Sequence, residues 1–167
     1  MAKKKGTNSN PSSSKNSELP KPHPALKRLE RLVGTWKLTG RTFDSRADNI
    51  RGKVTIEWLP GGFFLQLRGT IRMEGLEVQS LEIVGYDAKA KNFSANVFSN
   101  MDGAPAKYYW QVKGDRVTHW TKGSRYTGTF SKEGQMLSGG WRPEKGQKDT
   151  AGSAYDAVMT RVKVNKG

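Results

Sequence analysis

The sequence predicts an all-β protein, a closed antiparallel up-and-down β-barrel of about ten strands with a short N-terminal helix. Three observations predict it. Glycine is abundant, at 19 of 167 residues, as befits a chain of many turns. From Thr35 onward, apolar and polar residues alternate with a period of two. The alternating runs are separated mostly by short segments containing Gly or Asp, the spacing of a meander of hairpins. An open sheet of that size would leave two bare edges, and closing it removes both. A two-sheet sandwich is the main competitor, but it usually needs longer crossover connections than this chain supplies.

Residues 1–23 are rich in Ser, Asn, Pro and Lys, with little apolar surface to offset the entropy of ordering them. They are expected to be a disordered basic tail, in which His23 is merely solvated, leaving residues 24–167 as the folded domain. Pro24 suits the first turn of a helix. Leu26, Leu29 and Val33 follow at near-helical spacing, and Gly34 would end the helix in a left-handed conformation. Trp36 and Leu38 then alternate with Lys37 and Thr39, and Val54, Ile56 and Trp58 with Lys53, Thr55 and Glu57. After the turn "PGG", the residues Phe63, Leu65, Leu67 and Ile71 share one face. After "EG", Leu76 and Val78 share a parity that Leu81 and Ile83 do not, so a β-bulge is expected near Gln79 and Ser80. That bulge would turn Glu82 outward. Further runs follow, centred on Phe93 to Val97, Tyr108 to Val112, Val117 to Thr121, Tyr126 to Phe130, Leu137 to Trp141 and Tyr155 to Arg161.

A helical turn, a Gly-x-Trp at the first strand and an Arg in the last strand together resemble the calycin superfamily. In lipocalins such a Trp plugs the closed end of the barrel and the Arg packs across it. The resemblance implies a structural closure formed by Gly34, Trp36 and Arg161. The segments "LVGTWKLTG", "WLPGGFFLQLRG", "LEIVGYDAKAKNFSANVFSNMD", "YTGTFSKEGQMLSGGW" and "YDAVMTRV" are similar to a bacterial family of lipocalin-like domains of unknown function. The haem-binding barrel nitrobindin is a more distant likeness. Its iron is held by a His near the C-terminus, and the matching segment here, "AYDAVMTRVKVNKG", has none, so no cofactor is expected and haem least of all.

Charge and composition narrow the chemistry. The chain has no cysteine, which excludes thiolate catalysis and Cys-ligated zinc. One His in the folded region and scattered carboxylates form no metal-ligand cluster, and no phosphate-cradling glycine loop sits between a strand and a helix. No apolar run is long enough for a membrane-spanning helix, and the N-terminus carries no apolar signal segment, so a cytoplasmic location is expected. The net charge is +14, of which +10 lies beyond residue 24. Such a protein is drawn to anions whatever its purpose. Arg51, Lys53, Arg68 and Arg72 form one outward basic group. Trp120 beside Arg116 and Lys122 resembles a stacking platform for single-stranded nucleic acid. The plainer reading of both is a solvated outer face.

Strand parity sends Tyr108, Trp110, His119, Thr121, Tyr126, Ser138 and Tyr155 toward the lumen. Trp141 joins them if Leu137 marks the inner face. Aromatic walls with a few hydroxyls and one imidazole suit a small-molecule pocket, although each residue singly is also an ordinary core residue. The ligand-binding set is therefore Tyr108, Trp110, His119, Tyr126, Trp141 and Tyr155. No catalytic residue or metal site is assigned. The expected function is non-catalytic binding of a small, mostly apolar ligand, one bearing an anionic or carbonyl group among the options. An isomerase, cyclase or dehydratase using His119 with a tyrosine is the alternative, followed by a binder of nucleic acid or anionic surfaces. A homodimer is compatible with all three.

Overall fold

Each of ten strands pairs antiparallel with its neighbour in sequence, and the first returns to the last to close the ring. The computed structural model describes residues 19–147 and 154–163. Most of the expected tail, residues 1–18, lies outside the described residues. The strands are β1 (Gly34–Thr42), β2 (Ile50–Trp58), β3 (Leu65–Met73), β4 (Leu76–Asp87), β5 (Asn92–Ser99), β6 (Asp102–Lys113), β7 (Arg116–Thr121), β8 (Ser124–Phe130), β9 (Met136–Pro143) and β10 (Tyr155–Arg161). Several turns are two-residue hairpins. Glu74 and Gly75, with φ of 50° and 81°, supply the paired positive angles that let a tight turn follow the strand twist.

The helix, Pro24–Leu32, is of the 3₁₀ type. Leu26, Leu29 and Leu32 stand three residues apart, which on three residues per turn makes one apolar stripe, and all are buried against the barrel end. Leu32 rather than Val33 completes that stripe. His23 is not merely solvated: its Nδ1 accepts from the Ala25 N–H at 3.1 Å, capping the helix, and its ring stacks on Tyr86 at 4.2 Å.

Gly34 also differs from expectation. The helix has ended at Leu32, and Gly34 opens β1 with φ of 133°. Its missing side chain has a packing reason, since a Cβ there would come within 2.6 Å of Arg161 Nη1. Trp36 lies directly opposite Arg161 across the β1–β10 seam. The guanidinium carbon sits 4.2 Å above the indole, while its nitrogens donate to the carbonyls of Val33, Arg31 and Gly134. The indole N–H donates to Leu32 O at 2.7 Å, and Trp36 is wholly buried. One tryptophan and one arginine thus join helix, first strand and last strand, and burial lowers the Arg161 pKa from its usual value.

Two further bonds fasten the helix over this end. Glu30 accepts from the Trp58 indole at 2.8 Å, and Arg31 pairs with Asp115 at 2.6 Å while lying 4.5 Å over the Phe130 ring. The core beneath contains Leu29, Ile56, Leu65, Val84, Phe93 and Val117.

The expected bulge at Gln79–Ser80 is not there. β3 and β4 pair in unbroken register from Met73↔Leu76 to Leu65↔Val84. Val78, Ser80, Glu82 and Val84 therefore share the inner face, and Leu81 and Ile83 point outward. Leu81 pairs with the outward Phe98 on β5. The irregularity lies instead between Val97 and Ser99, where β5 meets β6.

Candidate functional site

The barrel is plugged at one end and hollow toward the other. Above Trp36 lies a chamber of about 460 Å³, lined by inward side chains from all ten strands and floored in part by Leu32. Its plugged end and one flank are aliphatic, with Leu38, Val54, Ile56, Leu67, Ile71 and Met159. The opposite flank, on β6 to β10, is aromatic. All six residues named from the sequence, Tyr108, Trp110, His119, Tyr126, Trp141 and Tyr155, line this one chamber.

Strand pairing brings them together. Trp110 faces His119, His119 faces Tyr126, Tyr126 faces Trp141, and Trp141 faces Tyr155, each pair directly across neighbouring strands. The result is a continuous aromatic band around half the wall. The Trp110 ring stacks on His119 at 3.8 Å, and Trp141 meets His119 at 5.2 Å and Tyr108 at 6.1 Å, edge to face. Tyr126 lies along a trough made by Gly128 and Gly139, where a Cβ would come within 2.4 Å and 2.8 Å of its side chain.

Two expected lumen residues are elsewhere. Leu137 is buried, so by alternation Ser138 faces outward, onto a shallow groove with Gly140 and Asp156 on the outer wall. The Thr121 hydroxyl donates to Lys107 O at the open rim, at 2.8 Å, and does not line the chamber.

Glu82, expected on the outer face, points inward. It is 7% exposed and lines the chamber. One carboxylate oxygen, Oε1, accepts from the Trp110 indole at 2.6 Å. The same oxygen is 3.2 Å from His119 Nε2, yet Nε2 has no hydrogen-bond partner. The stacking explains this, since an oxygen in the indole plane lies off the plane of the imidazole stacked beneath it. A signal for Glu82 was present in the sequence. The two-residue turn at Glu74–Gly75 fixes the register, placing Glu82 opposite Leu67, an inward residue.

The tyrosines are held protonated. Burial, with Tyr108 nearby, pushes the Tyr155 hydroxyl up to about 12. Burial, with Tyr155 nearby, raises Tyr126 further, and burial, with the Glu82 charge, raises Tyr108. None of the three hydroxyls bonds to another described residue, so each is available to donate into the chamber. Among the described residues, no three His, Asp or Glu side chains come together as a metal site, and no helix is long and apolar enough to cross a membrane.

Outside the barrel, Arg51 lies opposite Arg72 on adjacent strands, with Lys53 and Arg68 on the same outer face. Trp120 stacks with Tyr109 at 5.7 Å, and Arg125 lies 5.1 Å over its ring.

The family model described as "Protein of unknown function (DUF1579)" matches residues 21–134, a span running from just before the helix into the β8–β9 turn. No curated protein matches the chain.

Proposed function

Because the chain belongs to the DUF1579 family, whose description assigns no ligand, we propose from the chamber itself that the protein binds a small, mostly apolar molecule non-covalently. The observation that carries this reading is a chamber of about 460 Å³ whose wall is largely apolar but holds a few unpaired polar groups. That volume is within the usual range of small-molecule sites. Burial against Trp110, Trp141 and the aliphatic flank supplies the affinity, at roughly 25 cal/mol per Å² of apolar area. The hydroxyls of Tyr108, Tyr126 and Tyr155, with His119, orient the polar end. The Trp36–Arg161 plug supports a lipocalin-like reading of the barrel, one end sealed and the other left for entry.

Native mass spectrometry of the protein purified from its own cells tests this. The expected result is a small-molecule adduct that denaturation releases. Bare protein, together with no uptake of octanol supplied in excess, contradicts it.

The contact between His119 and Glu82 favours a second reading. A carboxylate 3.2 Å from an imidazole, facing three tyrosines, is a set of groups for acid–base chemistry of the isomerase or dehydratase kind. His119→Gln separates the two. A binder loses affinity a few-fold, whereas an enzyme loses turnover by orders of magnitude.

A further inference from the structure

Resting on the binding reading above, we propose that the ligand is an organic cation, a small apolar molecule ending in a protonated amine, and that Glu82 receives the ammonium group. The chain carries 29 Lys and Arg against 15 Asp and Glu, yet among the described residues no Lys or Arg lines the chamber and Glu82 is its one acidic residue. The described wall of a strongly basic protein's interior thus holds a carboxylate and no Lys or Arg.

Such a carboxylate is costly to bury without partners. Glu82 has the Trp110 indole on Oε1, while Oε2 has no hydrogen-bond partner among the described residues. His119 Nε2 is near enough to feel the charge but is not aligned to donate to it. An ammonium N–H donated to Oε2 would complete the site with a charge-assisted bond.

The surroundings point the same way. Trp110 bonds the carboxylate, Tyr108, Trp141 and Tyr126 continue the aromatic wall of the same chamber, and the faces of such rings carry the negative end of the π quadrupole. A carboxylate ligand would meet this field and the Glu82 charge at low dielectric, where repulsion is strongest. The aliphatic flank, which begins beside Glu82 at its cross-strand partner Leu67 and continues through Val54 and Ile71, suits the hydrocarbon end.

Octylamine, octanol and octanoate share one chain length and differ in charge, so their affinities, measured by calorimetry near neutral pH, isolate the head group. Octylamine is expected to bind at least about tenfold more tightly than octanol, the usual gain of a charged over a neutral hydrogen bond, and octanoate weakest. The exterior charge works against this order, because +14 attracts the anion and repels the amine. Glu82→Gln keeps an acceptor for the Trp110 indole and removes the charge. It should bring octylamine down to the affinity of octanol while octanol binding persists.

Equal binding of amine and alcohol by the native chain overturns the proposal and leaves the chamber's binding role standing, as does an amine preference that survives Glu82→Gln. Tightest binding of octanoate has the same meaning. Failure of all three probes overturns the cation proposal and the binding reading together. The comparison in the native chain stands whether or not the variant folds.

Discussion

At the scale of single residues, the molecule depends on a few side chains whose partners lie far away in sequence. Arg161 is the clearest, since it covers Trp36 and bonds three carbonyls from the helix end and the β8–β9 turn. Arg161→Ala should cost about 2–4 kcal/mol in urea denaturation, from lost stacking and from carbonyls left unpaired. Arg161→Lys recovers only part, because an ammonium lacks the planar fork that reaches several acceptors. Gly34→Ala should cost about 2 kcal/mol or more, with φ of 133° and the Arg161 guanidinium in the way. The pair Trp36 and Arg161 was legible in the sequence because a distinctive local pattern marks each end of the seam. Glu82 was not, because "LEVQSLEIV" offers apolar residues at both parities and Leu81 and Ile83 outnumbered the polar choice. The tyrosines give a pH dependence. Their folded pKa values are raised above the unfolded value near 10, so the neutral hydroxyl is favoured by folding. The associated stability is complete below about pH 10 and is lost as pH rises toward 12 and beyond. Tyr155→Phe should therefore show a smaller drop in urea midpoint between those limits than the native chain.

At the scale of elements, turns decide what periodicity leaves open. The alternation in β1, β2 and β3 is unambiguous, and their inner faces follow directly from it. β4 is apolar on both faces, and there the two-residue turn at Glu74–Gly75 sets the register that the side chains do not. The helix shows the same limit. Its leucines at intervals of three suit a 3₁₀ stripe and an α-helical one alike, so the spacing does not choose between the two forms. The outer faces were plainer to read and carry strain of their own. Lys37 stands directly opposite Lys53, and Arg51 opposite Arg72. Like charges facing one another across strands are destabilising. Lys53→Glu should raise stability by about 0.5–1 kcal/mol in thermal or urea unfolding, and added salt should shrink the gain by screening it. A fall in stability would contradict the facing of those two lysines.

At the scale of the whole molecule, closure is what turns ten amphipathic strands into a container. The helix and the Trp36–Arg161 seam block one end, the aliphatic flank and aromatic band line the interior, and among the described residues no Lys or Arg lines the chamber. This separation also distributes the five tryptophans usefully. Trp110 and Trp141 line the chamber, Trp36 is sealed in the plug, Trp58 bonds the helix at Glu30, and Trp120 lies on the outer wall beneath Arg125. Their indole N–H signals can be followed separately by NMR while octanol is added. If the chamber admits a small apolar molecule, the Trp110 and Trp141 signals move and saturate together, while Trp120 stays in place. Unmoved chamber indoles, or a shift confined to Trp120, would show that the interior takes no ligand.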